Sequence, residues 1–432
     1  MLQAVYNIVD SYFVANMAEN GEIAVNALTL AFPVQMMMVA VGIGTGVGAN
    51  ALIARALGQG DREKAGAAAG NALTLMGIIY AVCLLFGAFG AGAYIGSQTS
   101  DPTALAMGSQ YLRICCMASF GILFFSVFEK TLQATGRSLY STIAQVAGAL
   151  TNIVLDPIMI YGLLGCPKLG VAGAAWATVI SQGISGILCL VYIVKAVPVL
   201  HLHKEDWRPS GHLLKIQLAV GIPMALQYSI TAIGTMMVQT ALNLLGSTQV
   251  AAFTAANKIE QIVTQAYVAM GTTMATYCAQ NIGAGKIKRI RQGFKSITIM
   301  GSIYSVVVAA IIMTVGKYMT YLFLSGDLTE IMHSVDIYLK CVGTFFIPLT
   351  VVNVYRNGIQ GMGYGLLPMM AGVAELVGRG VVAMIAAGQK SYFGVCMASP
   401  AAWILASALL IVMYYYVIHQ NEKRFAKYAD EG

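Results

Sequence analysis

The sequence predicts an all-α polytopic membrane protein, with about twelve transmembrane helices in two six-helix lobes related by internal duplication. Three observations predict it. Of the 432 residues, 58% are hydrophobic and only 10% charged, whereas a soluble domain carries about a quarter charged residues to cover its surface. The apolar runs are long enough to cross a bilayer, which takes about 20 helical residues. The third observation is a repeat. "YLRICCMASFGILFFSVFEKTLQATGR" (111–137) aligns without a gap with "YLKCVGTFFIPLTVVNVYRNGIQGMGY" (338–364) at an offset of 227, and "ALGQGD" (56–61) meets "NIGAGK" (281–286) at an offset of 225. Two segments at nearly the same offset argue for duplication rather than chance.

Taken in order, the apolar spans fall at 1–17, 24–54, 66–95, 108–133, 138–163, 168–195, 213–245, 249–280, 293–323, 331–361, 364–387 and 394–418. The first is short and carries Asp10 near its middle, so helix 1 is expected either to be truncated at its start or to be unusually short. Lys and Arg gather in one set of loops, most densely at Lys286, Lys288, Arg289, Arg291 and Lys295. The opposite loops read "AENGE" (18–22), "SQTSDPT" (97–103) and "SGDLTE" (325–330). By the positive-inside rule both termini are cytoplasmic. The longest polar interruption, "HLHKEDWRPSGH" (201–212), divides the chain nearly in half. The expected parts are an N-terminal lobe at 1–197, a cytoplasmic linker at 198–212, a C-terminal lobe at 213–419 and a cytoplasmic tail at 420–432.

Composition also excludes. The formal net charge of +7 is explained by topology, and no basic cluster accompanies a nucleic-acid recognition fold. The eight cysteines lie mostly inside apolar runs without metal spacing and read as small hydrophobes. His201 and His203 have no further ligand cluster beside them, and a solvated linker is the simpler reading. The glycines of "GIGTGVG" (42–48) and "LGQGD" (57–61) lie in or just after a membrane span, without a preceding strand or a phosphate-binding lysine, which argues against a nucleotide loop. The five histidines sit in loops or near helix ends, so no catalytic constellation is formed and the chain is not expected to be an enzyme.

The chemistry concentrates in "TNIVLDPIMI" (151–160). Asn152 and Asp156 are four residues apart and share one helix face. A charged carboxylate at the bilayer centre costs about 2.5–3.5 kcal/mol on insertion scales, so a polar partner or a cation must offset it. Pro157 has no N–H, which leaves the Ile153 carbonyl without its helical donor. Carboxylate, amide oxygen and freed carbonyl together form a plausible oxygen cage for Na⁺, and the same desolvation suits a proton carrier. The bland alternative is an Asp that bonds a neighbouring helix at a proline kink. Asp10 is the second acid deep in a span, with Tyr6 and Asn7 one turn before it. In the second half Glu375 and Arg379, four apart, read as an internally neutralised pair.

The stretches "YNIVDSYFVA" (6–15), "IGTGVGANALIARALGQGDREKA" (43–65), "LQATGRS" (132–138), "TNIVLDPIMIYG" (151–162), "LGVAGAAWATVISQ" (169–182) and "QNIGAGK" (280–286) resemble those of the multidrug and toxic compound extrusion (MATE) transporters, in particular their DNA-damage-inducible-F-like branch. The resemblance spans nearly the whole chain. It implies a secondary-active multidrug or organic-cation exporter that antiports substrate against Na⁺ or H⁺ by alternating access. It also implies that Asp10, Asn152, Asp156 and Thr178 couple the cation and that Gln3 and Tyr6 line the substrate cavity. A Thr in a membrane helix otherwise most often bonds its own backbone, and Gln3 and Tyr6 could equally face lipid. No cofactor is implied beyond the coupling ion. The expected partners are amphipathic or cationic small molecules and the lipid bilayer. The expected setting is a monomer in the inner (plasma) membrane. A rival reading within the same superfold is a lipid-linked oligosaccharide flippase, which would need a cationic cavity; Arg356, Lys258 and Arg379 are its candidates.

Overall fold

Long helices account for nearly all of the chain because a backbone in lipid must satisfy its own hydrogen bonds. The computed structural model describes residues 12–14, 16–17, 21–198, 203, 206–207, 209–322 and 329–430. The first half is built from α1 (Gly21–Gln59), α2 (Arg62–Leu85), a π-helical turn (Phe86–Gly90), α3 (Ala91–Gln98), α4 (Pro102–Met117), α5 (Phe120–Ala134), α6 (Ser138–Tyr161) and α7 (Val171–Ala196). The second continues with α8 (Gly211–Asn243), α9 (Ser247–Gly283), α10 (Ile287–Thr314), α11 (Thr329–Thr344), α12 (Phe346–Gly361), α13 (Leu366–Gly388), α14 (Tyr392–Cys396) and α15 (Ala398–Asp430). Among the described residues eight helices are long and apolar enough to cross a membrane, and ten if each of two bent pairs is one span.

The expected span at 249–280 is present as α9, but it is not among those eight. Its 37 residues carry Asn257, Lys258, Glu260, Gln261 and Gln265, so it pairs length with a polar stretch, of which Lys258 and Gln261 are exposed and the other three half-buried. The tail expected from 420 onward continues α15 as helix to Asp430.

The repeat is written into the backbone. The α4–α5 pair bends by 42° after Met117 and the α11–α12 pair by 51° after Thr344, positions that lie 227 apart. Gly60 and Gly285 adopt φ of 77° and 69°, and Gly136 and Gly363 adopt 76° and 96°. These left-handed turns favour glycine, and each pair occupies aligned positions.

Packing divides the chain into Met1–Leu57 with Asp61–Ala225, and Gly58–Gly60 with Leu226–Gly432. The dividing point falls inside α8. Its first turns sit on α1 because glycines let the backbones meet: a Cβ on Gly44 would stand 2.5 Å from the Gly221 carbonyl oxygen, and one on Gly48 would stand 2.4 Å from that of Gln217. Gln217 also accepts from Asn71 at 3.2 Å and donates to the Thr45 carbonyl at 3.3 Å. The solvated linker has one buried turn. Asp206 is 8% exposed, accepts from the His203 amide at 2.7 Å and lies against Gly66 and Gly70 of α2.

Candidate functional site

α6 holds the polar pair expected from the sequence. Its 24 residues run unbroken through Pro157 and end on Gly162, which takes the left-handed C-cap conformation at φ 76°. Asn152 and Asp156 are both 0% exposed, and Asn152 Nδ2 donates to Asp156 Oδ1 at 3.2 Å. One helical turn separates the two, so local geometry alone brings them together. The amide turns its donor side to the carboxylate.

α7 packs antiparallel on α6. A Cβ on Gly173 would lie 2.4 Å from the Met159 carbonyl oxygen, so no larger side chain could allow this approach. That carbonyl accepts from the Leu169 amide at 3.1 Å, and the Ile160 carbonyl accepts from Gly170 at 3.2 Å. Further along, Ser185 donates to the Ala144 carbonyl at 2.9 Å. Between these fixed points Thr178 lies level with roughly residue 153 of α6, at an equal helical rise in both. Thr178 is 5% exposed and donates to the Ala174 carbonyl at 3.0 Å, the back-bond common in membrane helices; its oxygen carries acceptor lone pairs besides that donated proton.

Asp10, Gln3 and Tyr6 lie outside the described residues. The chain just after Asp10 is anchored to the end of α6: Tyr161 donates to the Phe13 carbonyl at 2.7 Å, and the two rings stand 6.2 Å apart edge to face.

The second half carries a different polar centre. Glu375 of α13 bridges two guanidiniums, Arg356 of α12 at 2.6 Å and Arg379 one turn further at 2.9 Å. The Glu375–Arg379 pair was legible as i,i+4. The Arg356 contact was not, because it joins two helices. Nearby Tyr338 of α11 donates to Glu260 of α9 and accepts from Asn257 at 3.1 Å. Gln360 donates to Gln227 of α8 at 3.3 Å. Near the end of α5, Glu129 and Lys130 are tied together through Gln133, which accepts from Lys130 at 3.0 Å and donates to Glu129 at 3.0 Å.

Comparison with known proteins adds the family. A model of the family described as MatE matches residues 1–158 and 220–385. The chain belongs to the MatE family. It is therefore a membrane transport protein and not an enzyme. It is 25% identical over 366 residues to "Probable multidrug resistance protein YpnP" of Bacillus subtilis, covering 83% of this chain and 78% of that one. It is 25% identical over 371 residues to "Multidrug export protein MepA" of Staphylococcus aureus, covering 85% and 78%. A third relative, "Probable multidrug resistance protein YoeA" of Bacillus subtilis, is 26% identical over 275 residues, and the match spans 59% of that protein. Among solved structures, a MATE protein in complex with MaL6 superposes with a TM-score of 0.88 at 24% identity, over 98% of this chain and 94% of the other. A multidrug resistance MATE family transporter in its outward-facing conformation superposes equally well, at a TM-score of 0.88 and 24% identity, over 98% and 93%. These similarities establish the fold.

Proposed function

We propose that this MatE-family chain is a secondary-active exporter of amphipathic or cationic organic compounds, antiporting them against Na⁺ or H⁺, and that it belongs to the DNA-damage-inducible-F-like branch. The observation that carries the reading is the fully buried Asn152–Asp156 pair, 3.2 Å apart, with Asp156 immediately before Pro157 inside α6. A carboxylate is costly in lipid unless neutralised, so each protonation or cation-binding event there changes the balance of forces on α6. In this reading Asp156 carries the ion, Asn152 holds it in place, and Thr178 and Asp10 complete the site. Gln3 and Tyr6 would line the substrate cavity. Coupling follows if the ion binds one access state more tightly than the other. The expected setting is a monomer in the plasma membrane, with both termini cytoplasmic, lobes at 1–197 and 213–419, and a linker at 198–212.

The test is efflux of a fluorescent cationic dye from proteoliposomes under a Na⁺ gradient alone and then a pH gradient alone. Wild type should respond to one of them. Asp156→Asn should abolish the response while folding normally, since an amide at 156 still accepts from Asn152. Wild-type efflux from Asp156→Asn, with its gradient dependence intact, would sink the mechanism.

A second reading, a flippase for lipid-linked oligosaccharides, is favoured by one feature: the Arg356–Glu375–Arg379 group holds two positive charges against one negative. Movement of a pyrophosphate-bearing lipid with no gradient-driven movement of any dye would select it.

A further inference from the structure

The repeat that relates the halves loses an acid at one surface position. In α11 Lys340 is neutralised by Asp336 one turn earlier, at 2.6 Å. The aligned residues of α4 are Arg113 and Ser109. The basic residue is kept and its acid is gone. Arg113 is exposed on the protein surface and takes part in no ion pair among the described residues, while the Ser109 hydroxyl is buried with no hydrogen-bond partner among them.

A cavity of about 590 Å³ opens at this spot. Arg113, Ser109 and Gln110 line one side, and Gly92, Leu105, Ala106 and Ile114 form apolar walls. Gly92 belongs to α3, immediately past the π-helical turn at Phe86–Gly90. There α2 and α4 approach closely: a Cβ on Gly87 would stand 2.8 Å from Cys116 Cβ. The Arg113 guanidinium lies over Gly92, with Nη2 3.6 Å from where a Cβ would sit. The surroundings face lipid. The Arg62–Gln98 span is the least covered of the eight, with 17% of its apolar window buried, and Phe89, in the π-helical turn just before α3, is 82% exposed. Arg113 lies roughly 16 Å along α4 from Pro102 at 1.5 Å per residue. Its Cα therefore sits within the apolar part of the span, and its long side chain can snorkel toward the headgroups.

We propose that this cavity binds an anionic membrane lipid, with the headgroup phosphate paired to Arg113 and hydrogen-bonded by Ser109 and Gln110, and an acyl chain along Leu105, Ala106 and Ile114. A guanidinium matches phosphate geometry through two parallel N–H donors. The phosphate thus supplies the charge that Asp336 supplies in the second half. A serine hydroxyl near it has an acceptor to donate to. The apolar walls would not suit a free, fully hydrated anion.

The test uses the full-length protein, delipidated in mild detergent and followed by native mass spectrometry with phosphatidylglycerol, phosphatidylcholine or inorganic phosphate. Wild type should retain phosphatidylglycerol roughly fivefold more than phosphatidylcholine, the ratio that corresponds to about 1 kcal/mol for one basic residue at an anionic lipid. Arg113→Gln should remove that preference. Ser109→Asp should remove it as well, by giving Arg113 the internal partner that Lys340 has, without loss of the arginine. Gly92→Leu should lower retention of both lipids by filling the cavity, and Lys340→Gln should change nothing. Undiminished preference in Arg113→Gln and Ser109→Asp would overturn the proposal, as would normal retention in Gly92→Leu. Displacement of the lipid by millimolar inorganic phosphate would also overturn it and would reassign the cavity to a free anion. None of these readouts depends on transport.

Discussion

In the first half of the molecule, Gln35 donates to the buried hydroxyl of Tyr111 at 3.0 Å. In the second half, Tyr338, aligned with Tyr111, donates instead to a carboxylate, Glu260, which lies at the offset of 225 from Gln35. The same two helices meet through the same tyrosine, but a neutral amide has become an acid. The exchange recurs in the next elements. Arg356 is aligned with Glu129, and the offset of 227 carried into the following helix sets Arg379 against Asn152 and Ala383 against Asp156. Duplication preserved the bends after Met117 and Thr344 and the turn glycines while the buried charges diverged. The first half buries an acid with an amide, and the second buries an acid between two guanidiniums. The lesson is that backbone geometry and polar content vary independently. A helix break needs only a local sequence that terminates one rod and starts another, whereas each buried charge must be matched by whatever its neighbours supply.

The largest expected effect tests the second half. Glu375→Gln leaves the buried Arg379 and the half-buried Arg356 without their counter-charge and should cost about 3–5 kcal/mol of stability, seen as a lowered unfolding midpoint in detergent. A midpoint within error of wild type would mean that the guanidiniums are neutralised elsewhere. Next comes the tyrosine pair. Tyr338→Phe removes a donor from a half-buried carboxylate and should cost about 1.5–3 kcal/mol. Tyr111→Phe removes a neutral hydrogen bond from Gln35 and should cost about 0.5–1.5 kcal/mol. Equal losses from the two would show that the charge on Glu260 is not what distinguishes the halves. The smallest effect is expected at the Lys340–Asp336 pair, whose lysine is exposed and whose aspartate is half-buried; Lys340→Gln should change stability by about 0.3–0.5 kcal/mol, as for other i,i+4 helix pairs. A larger loss would mean that this pair, too, sits in a low-dielectric setting.

Much of this was legible before any coordinates. The pairing of Asn152 with Asp156 and of Glu375 with Arg379 follows from spacing, because residues four apart on a helix are neighbours wherever the helix goes. The bends after Met117 and Thr344 fall inside the segments that reveal the repeat. Three features were not legible. Arg356 and Glu375 are 19 residues apart and on different helices, and Tyr338 and Glu260 are 78 apart; nothing in one dimension links them. The burial of Asp206 was hidden because "HKEDW" has the composition of a solvated loop, and only the flat glycine face of α2 allows it to dock. The polar residues of α9 are hidden in the sequence because its alanines and valines outnumber its charges.

The sequence by itself determined the solvent, the helical class, the repeat, and the position of the polar pair in α6, since each depends on composition or on spacing within a few residues. The tertiary structure decided which helices touch at which glycine, and which acid neutralises which base. Those outcomes depend on separation through a low-dielectric interior, where a charge is stabilised by the groups a few ångströms away whatever their distance along the chain.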